Sequence, residues 1–169
     1  MQKKRALILR SNRFLVSSFL DKGLITDLQM EAANEKFMEA TQSSETLRNI
    51  SILEILLYEL KALDEVRLLD HLVDEFKIGL IDLNQIDPSK LPFKALDISL
   101  CRSTLTIPFD KFGETCMLAT CYYMSAPVVR HWEEFLGGRV IWYTTSMGSM
   151  NHYLERVENV LNETEPEIG

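Results

Sequence analysis

The three histidines are the side chains best suited to proton transfer or metal binding, and they lie far apart in the sequence: His71, His131 and His152. None has a second ligand at the spacing of a metal site. His71 stands between Asp70 and Asp74 on a predicted helix. A zinc site or a proton relay there is the alternative to the interpretation that we favour, which is a solvated helix face.

The thiols and carboxylates also form no recognisable catalytic group. The cysteines are odd in number and lack CxxC spacing, and Cys116 and Cys121 lie in or beside an apolar run. We therefore expect them, like Cys101, to be small buried hydrophobes, without a disulfide or a metal. Three pairs of adjacent carboxylates are predicted to be solvated helix faces: Asp64-Glu65, Asp74-Glu75 and Glu133-Glu134.

The sequence contains no Walker A loop, nucleophile elbow or Rossmann fingerprint. The run Gly137-Gly138-Arg139 has the composition of a phosphate-contacting loop, but it precedes a predicted strand instead of opening a helix. We interpret it as a turn, because a helix N-terminus is what favours an anion. We therefore predict that the protein is not an enzyme and has neither a cofactor nor a metal site.

Charge and hydropathy argue against several kinds of partner. A formal net charge of −7 and a sequence pI of about 5.0 oppose nucleic-acid binding, which needs clustered lysine and arginine. The basic run Lys3-Lys4-Arg5 is interpreted as a solvated tail, with a membrane or nucleic-acid patch as the alternative. No apolar segment approaches the roughly 20 residues that cross a bilayer, and the N-terminus does not resemble a signal peptide. The sequence predicts a cytoplasmic protein.

Aromatic residues are concentrated in the second half of the chain and include Tyr122, Tyr123, Trp132, Trp142 and Tyr143. Aromatic side chains can stack on bases, but the acidic charge of the chain argues against that role. Neighbouring side chains on a strand point to opposite faces. One of Trp142 and Tyr143 is therefore expected to face the core, and the other to be exposed as a candidate for a protein interface.

A hydrophobic pattern occurs twice in the first half at a constant offset of 38 residues, the separation of Phe14 and Ile52. A fixed period of this kind indicates a duplicated unit, here a helix, a turn and a second helix. The equivalent positions are Phe19 and Leu57, Leu20 and Tyr58, Leu24 and Ala62, Ile25 and Leu63, Thr26 and Asp64, and Met30 and Leu68.

Helix signals agree with two helical hairpins in this half. Gly23 ends a helix, Thr26 and Gln29 form a capping-box pattern that starts the next one, and Asp64 caps another. Residues 40–49 form a polar connector. The four predicted helices are residues 6–22, from Thr26 to about Met38, about Ser51–Lys61, and from Asp64 through Phe76.

The second half predicts a small sheet covered by helices, in the order β-β-α-β-α. Alternating side chains indicate the strands, Pro127 suits the first turn of a helix, and Gly137-Gly138 ends that helix. The predicted elements are a short helix near Pro92–Leu100, strands at Ser103–Phe109 and Thr115–Tyr123 joined by a turn at 111–114, a helix at Val128–Leu136, a strand at Arg139–Thr145 and a helix at Ser149–Leu161.

Together these elements predict an α+β protein: an N-terminal helical bundle of two hairpins followed by a small β-β-α-β-α subdomain. Ile86-Asp87-Pro88 and Leu91-Pro92 mark the loops between the two parts. The predicted division is a duplicated helical-hairpin subdomain at 1–78, a connector with a short helix at 79–100, the α+β subdomain at 101–162 and an acidic tail at 163–169.

This order of elements resembles the N-terminal domain of the type II secretion and type IV pilus assembly ATPases. The resemblance covers roughly residues 10–160, and it rests on the order of the pieces more than on any single motif. The best-matching stretches are Phe19–Thr26, Ile86-Asp87-Pro88, Ile107-Pro108-Phe109 with Met117-Leu118-Ala119, and the final strand and helix.

In some members of that family each hairpin binds cyclic di-GMP through a motif that begins Arg-Leu-Gly, reaches a second Gly and closes on a Gln. The resemblance places this motif on Phe14, Val16, Gly23 and Phe37 in the first copy, and on Ile52, Glu54, Lys61 and Glu75 in the second. Gly23 alone retains the family residue. Arg13 is one position out of register, and Glu54 would bring a negative charge toward a phosphate. We therefore expect cyclic di-GMP binding to be lost.

The resemblance implies a non-enzymatic adaptor that docks, through an apolar patch with a polar rim, on a cytoplasmic or inner-membrane platform component of a secretion or pilus machine. Such docking would hold a cytoplasmic protein at the periphery of the inner membrane. The motor of the family is not part of this chain. The alternative is a sensor of cyclic di-GMP or another nucleotide with altered contacts from Arg10, Arg13 or Arg48.

Overall fold

The computed structural model describes residues 2–42, 51–93, 96–122 and 125–164. Within these ranges the chain forms seven helices and one four-stranded sheet, which confirms the α+β class. The elements are α1 Gln2–Asp21, α2 Asp27–Gln42, α3 Ile52–Glu54 continued by a π-helical segment Ile55–Glu59, α4 Glu65–Phe76, β1 Gly79–Leu80, α5 Ile98–Thr104, β2 Thr106–Phe112, β3 Thr115–Thr120, α6 Ala126–Leu136, β4 Arg139–Thr144 and α7 Met147–Thr164.

The helix starts of both hairpins form as the sequence predicts. The backbone N–H of Thr26 donates to Gln29 Oε1 at 2.8 Å and the N–H of Gln29 donates to Thr26 Oγ1 at 3.3 Å, which is the predicted capping box. Asp64 Oδ1 accepts the N–H of Arg67 at 2.9 Å. Helix α1 begins earlier than residue 6, and α2 extends past Met38 through residues 40–42 of the predicted connector. The rest of that connector lies outside the described residues.

The duplication is visible in the backbone of the two hairpin turns. Gly23 has φ +67° and Lys61, its equivalent in the second copy, has φ +47°. The left-handed conformation costs glycine little, but it costs a residue with a Cβ roughly 1–2 kcal/mol. The helix before Lys61 is also wound differently: Leu60 N donates to Ile55 O, five residues back, whereas Lys22 N donates to Ser18 O, four residues back. The sequence pattern did not predict this π-helical segment.

A buried asparagine joins the two copies. Asn12 Nδ2 donates to the carbonyl of Ile8 at 2.8 Å, and Asn12 Oδ1 accepts the N–H of Ile52 at 2.8 Å. The second bond satisfies the first N–H of α3, which has no partner within its own helix. Ser51 precedes α3 and accepts the N–H of Leu53. Asn12 therefore fixes the start of the second copy against the middle of α1.

The predicted boundaries around the first long strand are wrong. Ser103, predicted to open the strand, lies in α5, and the strand begins at Thr106. Asp97 caps this helix by accepting the N–H of Leu100, and Leu105 ends it with φ +45°. The strand also runs further than predicted, through Phe112, because the turn to β3 is tight and is made by 113–114.

The sheet has the order β1-β4-β3-β2, with β2 antiparallel to β3 and the other two pairs parallel. The prediction of three strands missed β1, whose Gly79 and Leu80 pair with Tyr143 and Thr144 of β4. Residue Ile81 continues the contact by donating its N–H to Thr144 O at 2.9 Å. The segment predicted as a connector therefore contributes an edge strand.

Buried side chains from both halves form one continuous core. It includes Leu15 and Phe19 of α1, Leu118 of β3, Trp132 of α6 and Tyr153 of α7. Helix α4 packs against β1 and β4, and α1 packs against α5 and α6. The helical hairpins thus share their apolar faces with the sheet half, and the division at 1–78, 79–100 and 101–162 stays a prediction.

Candidate functional site

Two of the four first-copy positions of the ligand motif are closed to solvent. Val16 is 1% exposed and Phe37 is 6% exposed, and both belong to the core. Phe14 is 42% exposed on α1, and Gly23 is exposed at the hairpin turn. A ligand approaching this copy would meet one aromatic side chain and a glycine, and neither supplies a charged or polar side-chain group.

The second-copy positions are buried, acidic or already engaged. Ile52 is 1% exposed, with its N–H bound by Asn12. Burial is the main cause that raises the pKa of the half-buried Glu54 carboxyl, since desolvation disfavours its charged form. Glu75 accepts a hydrogen bond from Lys22 Nζ at 2.6 Å, and this bond and charge lower the pKa of the Glu75 carboxyl. Lys61 and Glu75 are the exposed members of the set.

The two hairpin turns meet at a cleft of about 380 Å³, which we call the hairpin cleft. It is lined by Leu24 from the first turn and by Lys61, Ala62, Leu63, Asp64 and Arg67 from the second. Leu24 and Ala62 are equivalent positions of the repeat, so the cleft lies where the two copies face each other. Of the motif positions, Lys61 lines this cleft, and its backbone is the left-handed one described above.

The arginines considered for altered nucleotide contacts are not gathered at this cleft. Arg10 and Arg13 are exposed on α1 and do not belong to its lining. Arg48 lies outside the described residues. The cation that does line the cleft besides Lys61 is Arg67, in the first turn of α4, which the sequence analysis did not single out.

A second feature that sequence reasoning missed is a repeated exposed apolar side chain. Leu28 is 78% exposed in the first turn of α2, and Val66 is 67% exposed in the first turn of α4. They are equivalent positions, since they are separated by the 38-residue offset of the repeat. The offset itself was the signal that could have found them, because it pairs an apolar residue with an apolar residue at a position where helices usually carry polar ones.

The other candidate residues from the sequence were the three histidines and the pair Trp142 and Tyr143. His71 is half-buried, His131 stacks on Phe135 at a centroid distance of 6.5 Å, and His152 is exposed on α7. Trp142 and Tyr143 are both half-buried, so the prediction that one of them is exposed is wrong. Among the residues that the structure describes, no group of three or more His, Cys, Asp or Glu side chains could hold a metal ion.

The cysteines are buried, as predicted from the sequence. Burial raises the pKa of the Cys101 thiol to about 12 and that of the Cys121 thiol well above its usual value. Both thiols are therefore protonated at neutral pH. A protonated, enclosed thiol is not the nucleophile that catalysis by cysteine requires.

Two of the carboxylates predicted to be solvated, the half-buried Glu65 and the exposed Glu75, also hold tertiary contacts. Glu65 Oε1 accepts the N–H of Met147 at 2.6 Å, which joins the start of α4 to the start of α7. Glu75 pairs with Lys22, as described above. Glu133 and Glu134 are exposed on α6, in agreement with the prediction.

No protein-family model and no curated protein matches the chain. Solved structures match its fold. The N-terminal domain of XpsE has a TM-score of 0.56 at 14% identity, over 86% of this chain and 94% of that chain. A second crystal form of the same domain has a TM-score of 0.54 at 12% identity, over 85% and 94%. The structure of MshE with cdg has a TM-score of 0.50 at 17% identity, over 85% and 97%.

The fold is that of the N-terminal domain of the type II secretion and pilus ATPases, as the resemblance implied. XpsE and MshE are the particular proteins with which this chain shares that fold. At identities of 12–17%, these structural matches establish a common fold and nothing more. Across the described ranges, each helix is too short or too polar to serve as a membrane span.

Proposed function

We propose that this chain is a non-enzymatic interaction domain that docks on a platform component of a secretion or pilus machine and does not bind cyclic di-GMP. The observation that carries the proposal is the extent of the fold match. The alignment covers 94% of the XpsE N-terminal domain, so this chain holds nearly the whole of a domain that is non-catalytic in its neighbours. Docking on an inner-membrane platform would place a cytoplasmic protein at the membrane periphery.

The core supports the loss of ligand binding. In each copy, an apolar side chain of the motif region is enclosed: Val16 in the first and Ile52 in the second. Opening either position to a nucleotide would expose apolar surface to water, and this exposure costs a free energy of about 25 cal/mol for each Å². At the polar position Glu75, the carboxylate is already paired with the ammonium group of Lys22. The half-buried Glu54 would add a negative charge beside a phosphate.

A nucleotide sensor with altered contacts is the second candidate, and the observation that favours it is that MshE shares the fold and is solved with cdg. Calorimetry decides between the two. We expect cyclic di-GMP to give no saturable heat with this chain and no rise in melting temperature, because a ligand selective for the folded state stabilises it. The corresponding domain of MshE serves as the positive control. Saturable binding at micromolar affinity or better contradicts the proposal.

Docking is tested with any secretion or pilus platform components that the neighbouring reading frames encode. We expect the cytoplasmic part of one of them to co-elute with this chain in size-exclusion chromatography and to give a saturable titration, with an affinity near micromolar, about −8 kcal/mol. A chain in which the core residue Leu56 is replaced by aspartate is the unfolded control. Neighbouring reading frames that encode secretion or pilus components, none of which binds, would refute the docking role.

A further inference from the structure

We propose that Glu54 makes the second hairpin copy sensitive to pH: losing its proton opens α3 and the π-helical segment that follows it, and regaining the proton closes them. Glu54 is the last residue of α3 and directly precedes the segment Ile55–Glu59. This conformational device is built into the fold, and it operates whether or not the docking function holds.

Glu54 stands where the first copy has a core residue. Its equivalent, 38 residues earlier, is Val16, which is 1% exposed. Its neighbours Leu53 and Ile55 are buried, and Glu54 itself is half-buried. A carboxylate in such a place is partly removed from water, and that removal disfavours its charged form.

Glu54 is also the half-buried carboxylate that has no bonded partner. The described ranges contain three carboxylates that are not exposed, and these belong to Glu54, Glu65 and Asp97. Glu65 accepts the N–H of Met147. Asp97 accepts the N–H of Leu100. Across the part of the chain that the structure describes, the carboxylate of Glu54 accepts no hydrogen bond and forms no ion pair.

The charged groups around Glu54 compensate its charge only in part. On its own segment, Glu59 adds a second negative charge, which is paired with Lys36 of α2 at 2.8 Å. From α5, Arg102 supplies the opposing positive charge. The guanidinium of Arg102 is already bonded to Glu158 of α7 at 2.8 Å, so it is not free to turn wholly toward Glu54.

Two uncharged groups complete these surroundings. Asn12 is the neutral side chain that α1 brings to the start of α3. Burial is the main cause that raises the pKa of the Tyr58 phenol, and the charge of Glu54 adds to it, so the phenol is neutral wherever Glu54 titrates. Burial, followed by the charge of Glu59, raises the pKa of the Glu54 carboxyl, whereas Arg102 lowers it.

A raised pKa fixes the direction of the effect. The stability that protonated Glu54 contributes is fully present below the ordinary pKa of a glutamate side chain, about 4.3. That stability is lost as the pH rises through the higher pKa of the folded state. An ionised Glu54 is relieved when its carboxylate reaches water, which an outward movement of α3 allows without unfolding of the whole domain.

Native-state hydrogen exchange of the wild type and Glu54→Gln tests this device, because glutamine keeps the shape of the side chain and does not ionise. The reporters are the amides of Leu60 and Ala62, which donate to the carbonyls of Ile55 and Leu56. We expect the protection of these amides in the variant, divided by their protection in the wild type, to rise several-fold from about pH 4 to about pH 7.5.

Glu35→Gln is the matched control, because it makes the same change of charge on an exposed residue of α2. Its ratio to the wild type should be the same at both pH values. The lowered pKa values of the carboxyls of Glu75, Asp82 and Asp87 weaken the fold at low pH, but they act alike in all three proteins and cancel in the ratios.

Two further measurements on the wild type decide the outcome. We expect Leu60 and Ala62 to exchange faster at about pH 7.5 than Leu118, which lies in the middle of an interior strand, because α3 opens locally. We expect carbon-13 titration of the Glu54 carboxyl to give a midpoint above the ordinary value, and this measurement needs no variant to fold. A protection ratio for Glu54→Gln that does not change with pH, exchange of Leu60 and Ala62 as slow as that of Leu118, or a midpoint at or below the ordinary value would each overturn the proposal.

Discussion

Replacing Asn12 with alanine is expected to destabilise the protein by about 3 kcal/mol. The substitution removes both bonds of the side chain and leaves the N–H of Ile52 buried without a partner, which alone costs about 1–3 kcal/mol. It also leaves a gap, because Asn12 is 3% exposed in the interior. The midpoint of urea unfolding, followed by circular dichroism, should fall with an unchanged slope.

Asn34→Ala is the matched control for this prediction. Asn34 is exposed on α2, so its replacement should change the free energy of unfolding by no more than a few tenths of a kcal/mol, in the stabilising direction, because alanine is the better helix former. If Asn12→Ala and Asn34→Ala unfold at the same urea concentration, Asn12 does not hold the second copy against α1.

Asn12 also shows where sequence reasoning stops. Local signals such as the Thr26–Gln29 capping box and the Asp64 cap were predicted correctly, because each bond joins residues within one turn of helix. The bond from Asn12 to Ile52 joins residues that are 40 positions apart. A polar residue in a helical stripe gives no indication of which distant N–H it will meet.

The elements that were missed are those that depend on tertiary partners. Strand β1 has only Gly79 and Leu80, both exposed, so it carries no alternating pattern and exists through its pairing with β4. The π-helical segment Ile55–Glu59 has an ordinary helical composition. Ser103 lies in α5 because Asp97 caps that helix, although the residues that follow alternate like a strand.

For the candidate site, too, the conclusions that depend on residue type were predictable from the sequence, and those that depend on packing were not. The sequence predicted that the ligand residues were replaced, because that conclusion needs only residue types at matched positions. It did not predict that Val16 and Ile52 are enclosed in the core, nor that Leu24 and Lys61 line one cleft, because both facts depend on how the two copies pack. The exposed pair Leu28 and Val66 could have been found from the repeat offset.

Two glycine-to-alanine substitutions are expected to change the free energy of unfolding in opposite directions. Gly138→Ala should destabilise the fold by about 2–3 kcal/mol, because a Cβ there would collide with the carbonyl oxygen of Glu114, a backbone atom that cannot turn aside. Gly148→Ala should stabilise it by about 0.5–1 kcal/mol, because a Cβ at that exposed position of α7 meets no atom within 4 Å and alanine is the better helix former.

The Gly138 variant tests how β3 and β4 are held together in the sheet. Gly138 precedes β4 and Glu114 precedes β3, and the next residues, Thr115 and Arg139, are the first parallel pair between these strands. The close approach of the two backbones therefore sets the register of the β3–β4 pair, so the cost of a Cβ at Gly138 should appear as a lower melting temperature for the whole domain. A stability of Gly138→Ala equal to that of the wild type would mean that β4 starts farther from the β2–β3 turn, and the parallel register would then have to be set by Leu118 and Trp142 in the middle of the strands.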